Sequence, residues 1–162
     1  MSIKQIIIVV GILFLIKLFF DFVNSKKKDT AKSKKIMSES ERQIASFLDK
    51  KNIKYKLQYS FMFCRDKKCL PFDFAIFNDK GKLQFLIEYD GQQHFEVVDF
   101  GEGMKKSKEN FKKCKKHDKI KDRYCRRHKI DLLRIPYYEK KNMYKVITKK
   151  LYEYDLIEKS TK

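Results

Sequence analysis

A chain of 162 residues holds one domain and an appendage, with ample apolar residues in its C-terminal part for a core. Lys and Arg number 39 against 21 Asp and Glu, a formal net charge of +18 that favours polyanions, nucleic acid or an anionic membrane surface, and says nothing of fold. The four cysteines lack a regular secreted-type spacing and stand among abundant lysine, which argues against a disulfide scaffold.

Ile6 to Ile16 is continuously apolar, and the run reaches membrane-spanning length if Lys17 and Asp21 are tolerated. These two residues can pair on one helix face and reach the headgroups from near the helix end. Basic charge follows the segment at Lys26, Lys27, Lys28, Lys32, Lys34 and Lys35, with only Lys4 ahead of it. A transmembrane helix over 1–23 with the rest of the chain in the cytoplasm is therefore expected. A cleaved signal peptide ending near Val23-Asn24-Ser25 and an interfacial helix are the other readings. The lysine-rich stretch 24–37 reads as an extended linker able to meet anionic headgroups, and a domain is expected over 38–158.

Ser38 and Glu41 have the spacing of a capping box, and Ile44, Ala45, Phe47 and Leu48 recur at helical intervals up to Asn52. Glu41 is thereby either a cap or an acid turned toward the interior. Ile53 to Phe61 alternates apolar and polar and predicts a strand, and Phe63 to Leu70 reads as a loop. Pro71 to Phe77 and Leu83 to Asp90 read as a hairpin closed by Asn78, Asp79, Lys80 and Gly81. Alternation puts Asp73 on a face with Ala75, and Glu88 on a face with Leu86 and Asp90. If those faces align, Asp73, Glu88 and Asp90 converge, and three carboxylates at one spot call for a cation; all-oxygen ligation suits Mg²⁺ or Mn²⁺. A solvated acidic face is the other reading, opposed by bulky neighbours on both sides of each strand.

Phe95 to Ser107, with Gly101 and Gly103, reads as a loop at the mouth of that site. Lys108 to Arg127 predicts a basic helix with Phe111, Cys114, Asp118, Lys121, Cys125 and His128 on one face and Lys112, Lys113, Lys115, Lys116, Lys119, Arg126 and Arg127 toward solvent or phosphates. Ile130 to Ile135 is a short buried strand and Asn142 to Tyr154 an amphipathic helix. The sum is an α/β fold, a mixed sheet flanked by helices.

Taken together, an acid on the first helix, PFDFAI, LIEYDGQQHF and HDKIKDRYCRRHKIDLLRIPY resemble the PD-(D/E)XK restriction-endonuclease-like superfamily, in its very-short-patch-repair-like branch with phage and large DNA virus relatives. The resemblance covers roughly residues 38–138. It implies a Mg²⁺- or Mn²⁺-dependent endonuclease acting on DNA, with Asp73 and Glu88 as metal ligands and Glu41 as the helix acid. The superfamily's acid-x-Lys signature would put lysine at Asp90. Gln92, Gln93 and His94 are then the candidates to manage water and proton, His94 as general base or acid, and Asp118 or Lys121 could complete the site from the next helix. His94 could equally be a hydrogen-bonded core residue. The departure at Asp90 also leaves open a nucleic-acid-binding module that no longer cuts, and a third reading directs the charge to anionic lipid. Cys64, Cys69, Cys114, His117, Cys125 and His128 do not have the spacing of a zinc finger, and His117 falls off the face shared by Cys114 and Cys125.

Overall fold

The computed structural model describes residues 37–158, and a compact unit begins at Ser38. Helix α1, Glu39–Lys50, starts at a complete capping box: the Ser38 hydroxyl accepts from the Glu41 backbone N–H, and the Glu41 carboxylate accepts from the Ser38 N–H. Asn52, just past the helix, takes the left-handed φ of 55° that asparagine tolerates well.

Strands β1 (Lys54–Arg65), β2 (Cys69–Phe77) and β3 (Leu83–Asp90) form an antiparallel meander. The loop expected over 63–70 is much shorter. Pairing persists to Arg65 and Cys69, and the Asp66 N–H bonds to the Lys68 carbonyl across the turn. β1 is an edge strand, so its far end can carry the exposed side chains of Met62 and Phe63 and still belong to the sheet. Gly81, at φ 75°, closes the β2–β3 turn with its N–H on the Asn78 carbonyl.

A short 3-10 turn, Gln92–His94, follows β3. Asp99 then organises the loop, its Oδ1 accepting from the N–H groups of Gly101, Glu102 and Gly103 at 2.9, 3.0 and 3.1 Å. Helix α2 begins at Met104, ahead of the expected Lys108, and runs to His128. Strand β4, Asp131–Pro136, pairs parallel with β3, so β3, α2 and β4 make a βαβ unit. A 3-10 segment, Tyr137–Asn142, leads into α3, Met143–Glu153. The sheet order is β1-β2-β3-β4.

Both faces of this mixed sheet are covered. Ala75 and Leu86 pack with Leu70, Phe72, Cys64 and Cys125, and Ile120 and Tyr124 of α2 close over them. The alternate residues Phe74, Ile76, Phe85 and Ile87 are fully buried on the other face. There Tyr55 meets Phe74, Tyr154 meets Phe85, and α1 meets α3 through Phe47 and Tyr144. Burial on two sides is why FDFAIF and FLIEYD carry bulky residues at successive positions.

The expected membrane span is corrected. Among the described residues no helix is long and apolar enough to cross a membrane. The longest, α2, is built largely of lysine and arginine on its exposed faces. Residues 1–23, on which the expectation rested, lie outside the described residues, as do positions 24–36 of the linker. Among the described residues the fold is a four-stranded mixed sheet with three flanking helices and no transmembrane helix, and nothing there supports the expected single-pass membrane topology with a cytoplasmic domain.

Candidate functional site

A cleft of about 510 Å³ opens between the sheet, the 3-10 turn and α2. Asp73 and Glu88 lie in it. Ala75 pairs with Leu86 across β2 and β3, so two residues further along, Asp73 and Glu88 come side by side on the face that α2 covers. Asp73 Oδ2 accepts the Tyr89 backbone N–H at 2.8 Å, and Oδ1 lies 3.4 Å from the Gln58 amide. Glu88 is buried, and Lys121 reaches it from α2, Nζ to Oε1 2.6 Å. Burial, the Glu88 charge and the Glu41 charge push the Asp73 carboxyl up to about 8, against the pull of the Tyr89 N–H and Lys121. Burial also raises Glu88, and Lys121 opposes it.

Asp90 does not join them. Arg134, which stands beside Glu88 in the parallel ladder, holds Asp90 at 2.7 Å and also contacts Asp122 at 3.0 Å and Asp118 at 3.4 Å. Burial disfavours the Arg134 charge, but these three acids outweigh it and raise its pKa. The three-carboxylate convergence expected at Asp73, Glu88 and Asp90 is thus a pair, with the third acid neutralised by arginine.

Among the described residues, the three potential ligands that do come together are His94, Cys114 and Asp118, whose donor atoms lie within 4.8 Å of one another. They can coordinate a metal ion, and their mixed donor set is not specific to Mg²⁺ or Mn²⁺. Cys114 and Asp118 are one helical turn apart on α2, and His94 ends the 3-10 turn. His94 Nδ1 is 3.0 Å from Asp118 Oδ2 and 3.5 Å from Asp90 Oδ1, and Lys115 donates to the His94 carbonyl at 3.0 Å. Burial works against a charged imidazole here, yet the bonds to Asp118 and Cys114 lift His94 to about 10. Asp118 is lowered in turn, chiefly by His94 against its own burial.

The other expected residues divide. Glu41 lines the cleft while its carboxylate serves the cap. Gln93 lines the cleft, whereas the exposed Gln92 turns its amide to Glu96 at 2.6 Å. Cys64 and Cys125 are buried in the core, Cys69 is exposed, and His117 bonds to Asp66 at 3.3 Å. No zinc site gathers the set Cys64, Cys69, Cys125 and His128 among the described residues.

Sequence reasoning did not single out Gln58. Its φ is 49°, left-handed for a non-glycine residue in a strand, and the chain changes phase there: Tyr55 packs on Phe74, while Tyr59 and Phe61 pack toward α2. That conformation costs about 1–2 kcal/mol and coincides with the amide's approach to Asp73. Gln58→Gly is expected to leave stability unchanged or raise it by up to about 1 kcal/mol in urea unfolding, the relief of strain offsetting a weak exposed hydrogen bond. A clear loss of stability would show the amide to be worth more than the strain.

The raised Asp73 gives a signed pH dependence. Below about 4 the carboxyl is protonated in both folded and unfolded states; as pH rises through about 8 the folded domain must ionise it beside Glu88, so stability falls across that window. Thermal unfolding of the metal-free chain is expected to show this decline, smaller in Asp73→Asn. An equal decline in both proteins would rule out Asp73 as its source.

Comparison with protein-family models, with curated proteins and with solved structures finds no match. Neither those comparisons nor the described residues provide a nucleic-acid or membrane partner, so the expectation of a membrane-anchored DNA endonuclease is corrected to what the geometry carries: an α/β domain whose cleft holds a His94, Cys114, Asp118 cluster able to bind a metal ion.

Proposed function

We propose that this domain, over 38–158, is a metal-dependent hydrolase of phosphodiester bonds, an endonuclease of the restriction-endonuclease-like kind. The observation that carries the reading is the Asp73–Glu88 pair in the cleft, with Asp73 destabilised as an anion first by burial and then by its neighbour. Such a pair is costly without a cation, and its hard oxygen donors suit Mg²⁺ or Mn²⁺. The residues therefore fit the ion that the resemblance implies. When bound, it would supply charge neutralisation at a phosphoryl oxygen and a more acidic water.

The remaining roles belong to the chain. Lys121 brings its ammonium to Glu88 from α2, so the cation that the acid-x-Lys signature would carry at position 90 comes here from a helix. His94, held protonated at neutral pH by Asp118, is suited to give a proton to a leaving oxygen rather than to take one from water. Asp118 positions that imidazole, and Arg134 positions Asp118. Glu41 adds negative charge near Asp73.

The test is nicking of supercoiled plasmid by the full chain with Mg²⁺, with Mn²⁺ and with EDTA, beside Asp73→Asn and Glu88→Gln. Expected is metal-dependent nicking that falls by about a hundredfold or more in each variant, the loss of several kcal/mol of charge stabilisation at about 1.4 kcal/mol per decade. Absence of cleavage with either ion, or nicking that both variants retain, would sink the proposal.

A further inference from the structure

We infer that His94, Cys114 and Asp118 form a second, thiophilic metal site, selective for a Zn²⁺-class ion and separate from the Asp73–Glu88 pair. The inference rests on the geometry of these three side chains and not on the phosphodiesterase reading.

Three features carry it. The first is the donor set. An imidazole, a thiol and a carboxylate have donor atoms within 4.8 Å of one another, a spread one ion can bridge. Thiolate and imidazole favour Zn²⁺ and Co²⁺, whereas Mg²⁺ prefers six oxygens and dehydrates reluctantly. The second is support. Cys114 and Asp118 are successive-turn residues of the long helix α2, and His94 is tied back to the same helix by the Lys115 ammonium on its carbonyl. The Arg134 guanidinium contacts Asp118 at 3.4 Å, the kind of outer contact that fixes a ligating carboxylate. Its charge does not repel an ion outright, because Asp90 and Asp122 already share it. The third is access. All three residues are partly buried and line the same cleft as Asp73 and Glu88. Three protein ligands with a cleft beside them leave a coordination position for water or an anionic ligand, the arrangement of zinc sites that are not purely structural.

The experiment is titration of the reduced full chain with Co²⁺ as the probe, followed by thiolate-to-cobalt charge-transfer absorption. Expected is one equivalent of Co²⁺ with a thiolate band, displaced by Zn²⁺ and not by excess Mg²⁺. Cys114→Ser and His94→Gln weaken binding by more than about a hundredfold, beyond the ten- to hundredfold cost of losing a group that only supports a ligand. Cys114→Asp keeps an anionic donor and binds Co²⁺ without the thiolate band, which separates loss of the ligand from loss of the fold. Asp73→Asn keeps the band. A band that survives in Cys114→Asp, a site that Mg²⁺ empties, or the absence of any thiolate band overturns the inference. Because Asp73→Asn is expected to cut nicking by about a hundredfold or more yet leave the cobalt band, failure of the proposed hydrolysis is distinguishable from failure of the cobalt site.

Discussion

Arg134→Leu is expected to cost the domain about 3–5 kcal/mol, the penalty for removing one partner of a buried ion pair. Asp90 is only 5% exposed, and Arg134 is its ion-pair partner at 2.7 Å, with the His94 ring at 3.5 Å as the other charged neighbour. Removing the guanidinium leaves Asp90 buried without it and frees Asp118 and Asp122 to repel one another and Asp90. The loss should be legible as a fall of at least about 10 °C in thermal midpoint for a domain of this size. The double variant Arg134→Leu with Asp90→Asn should recover a large part of it, because the uncompensated charge is then gone. A loss below about 1 kcal/mol in the single variant, or no recovery in the double one, would show that Asp90 finds another partner or enough water.

Lys121→Met is expected to act on the proposed hydrolysis more than on the fold. The Lys121 ammonium lies over Phe72, 5.2 Å from the ring centroid, and methionine keeps an apolar side chain of similar length there. What disappears is the 2.6 Å contact with Glu88 and one positive charge in the cleft. Hydrolysis should fall by about a hundred- to a thousandfold, the usual loss when one preorganised charge-stabilising group is removed. Lys121→Arg should recover part of it, since arginine keeps the charge but cannot place it at the same point. Full activity in Lys121→Met would remove Lys121 from the site and leave the signature lysine without a substitute.

Much of the domain was legible because its signals are local. The Ser38–Glu41 box, the Asn78–Gly81 turn and the alternation along β2 and β3 each specify geometry within a few residues, and Asp73 and Glu88 follow from alternation alone. The part that was not legible depends on register and on partners distant in sequence. Asp90 has the parity to join Asp73 and Glu88. Its destination is set instead by Arg134, 44 residues away, which the parallel pairing of β4 brings alongside β3. A charged residue inside the otherwise apolar strand LLRIP was the available sign, since a buried arginine needs an acid. Cys114 was placed on the inner face of α2, but its association with His94 depends on where the loop after β3 lands. The extension of β1 through Arg65 was hidden because an edge strand tolerates polar and exposed aromatic residues that otherwise read as loop. The reversal of phase at Gln58 has no sequence signal, because glutamine is not a residue that favours left-handed backbone.

The most direct measurement is calorimetric titration of Mn²⁺ into the full chain at neutral pH, in two buffers of different ionisation enthalpy, for the wild type and for Asp73→Asn. Asp73 is largely protonated at neutral pH before the ion arrives, so binding through it should release about one proton. In Asp73→Asn this released proton is expected to disappear together with most of the affinity. Mn²⁺ uptake with the same affinity and the same proton count in both proteins would contradict it, and would mean that the acid pair in the cleft is not where the metal binds.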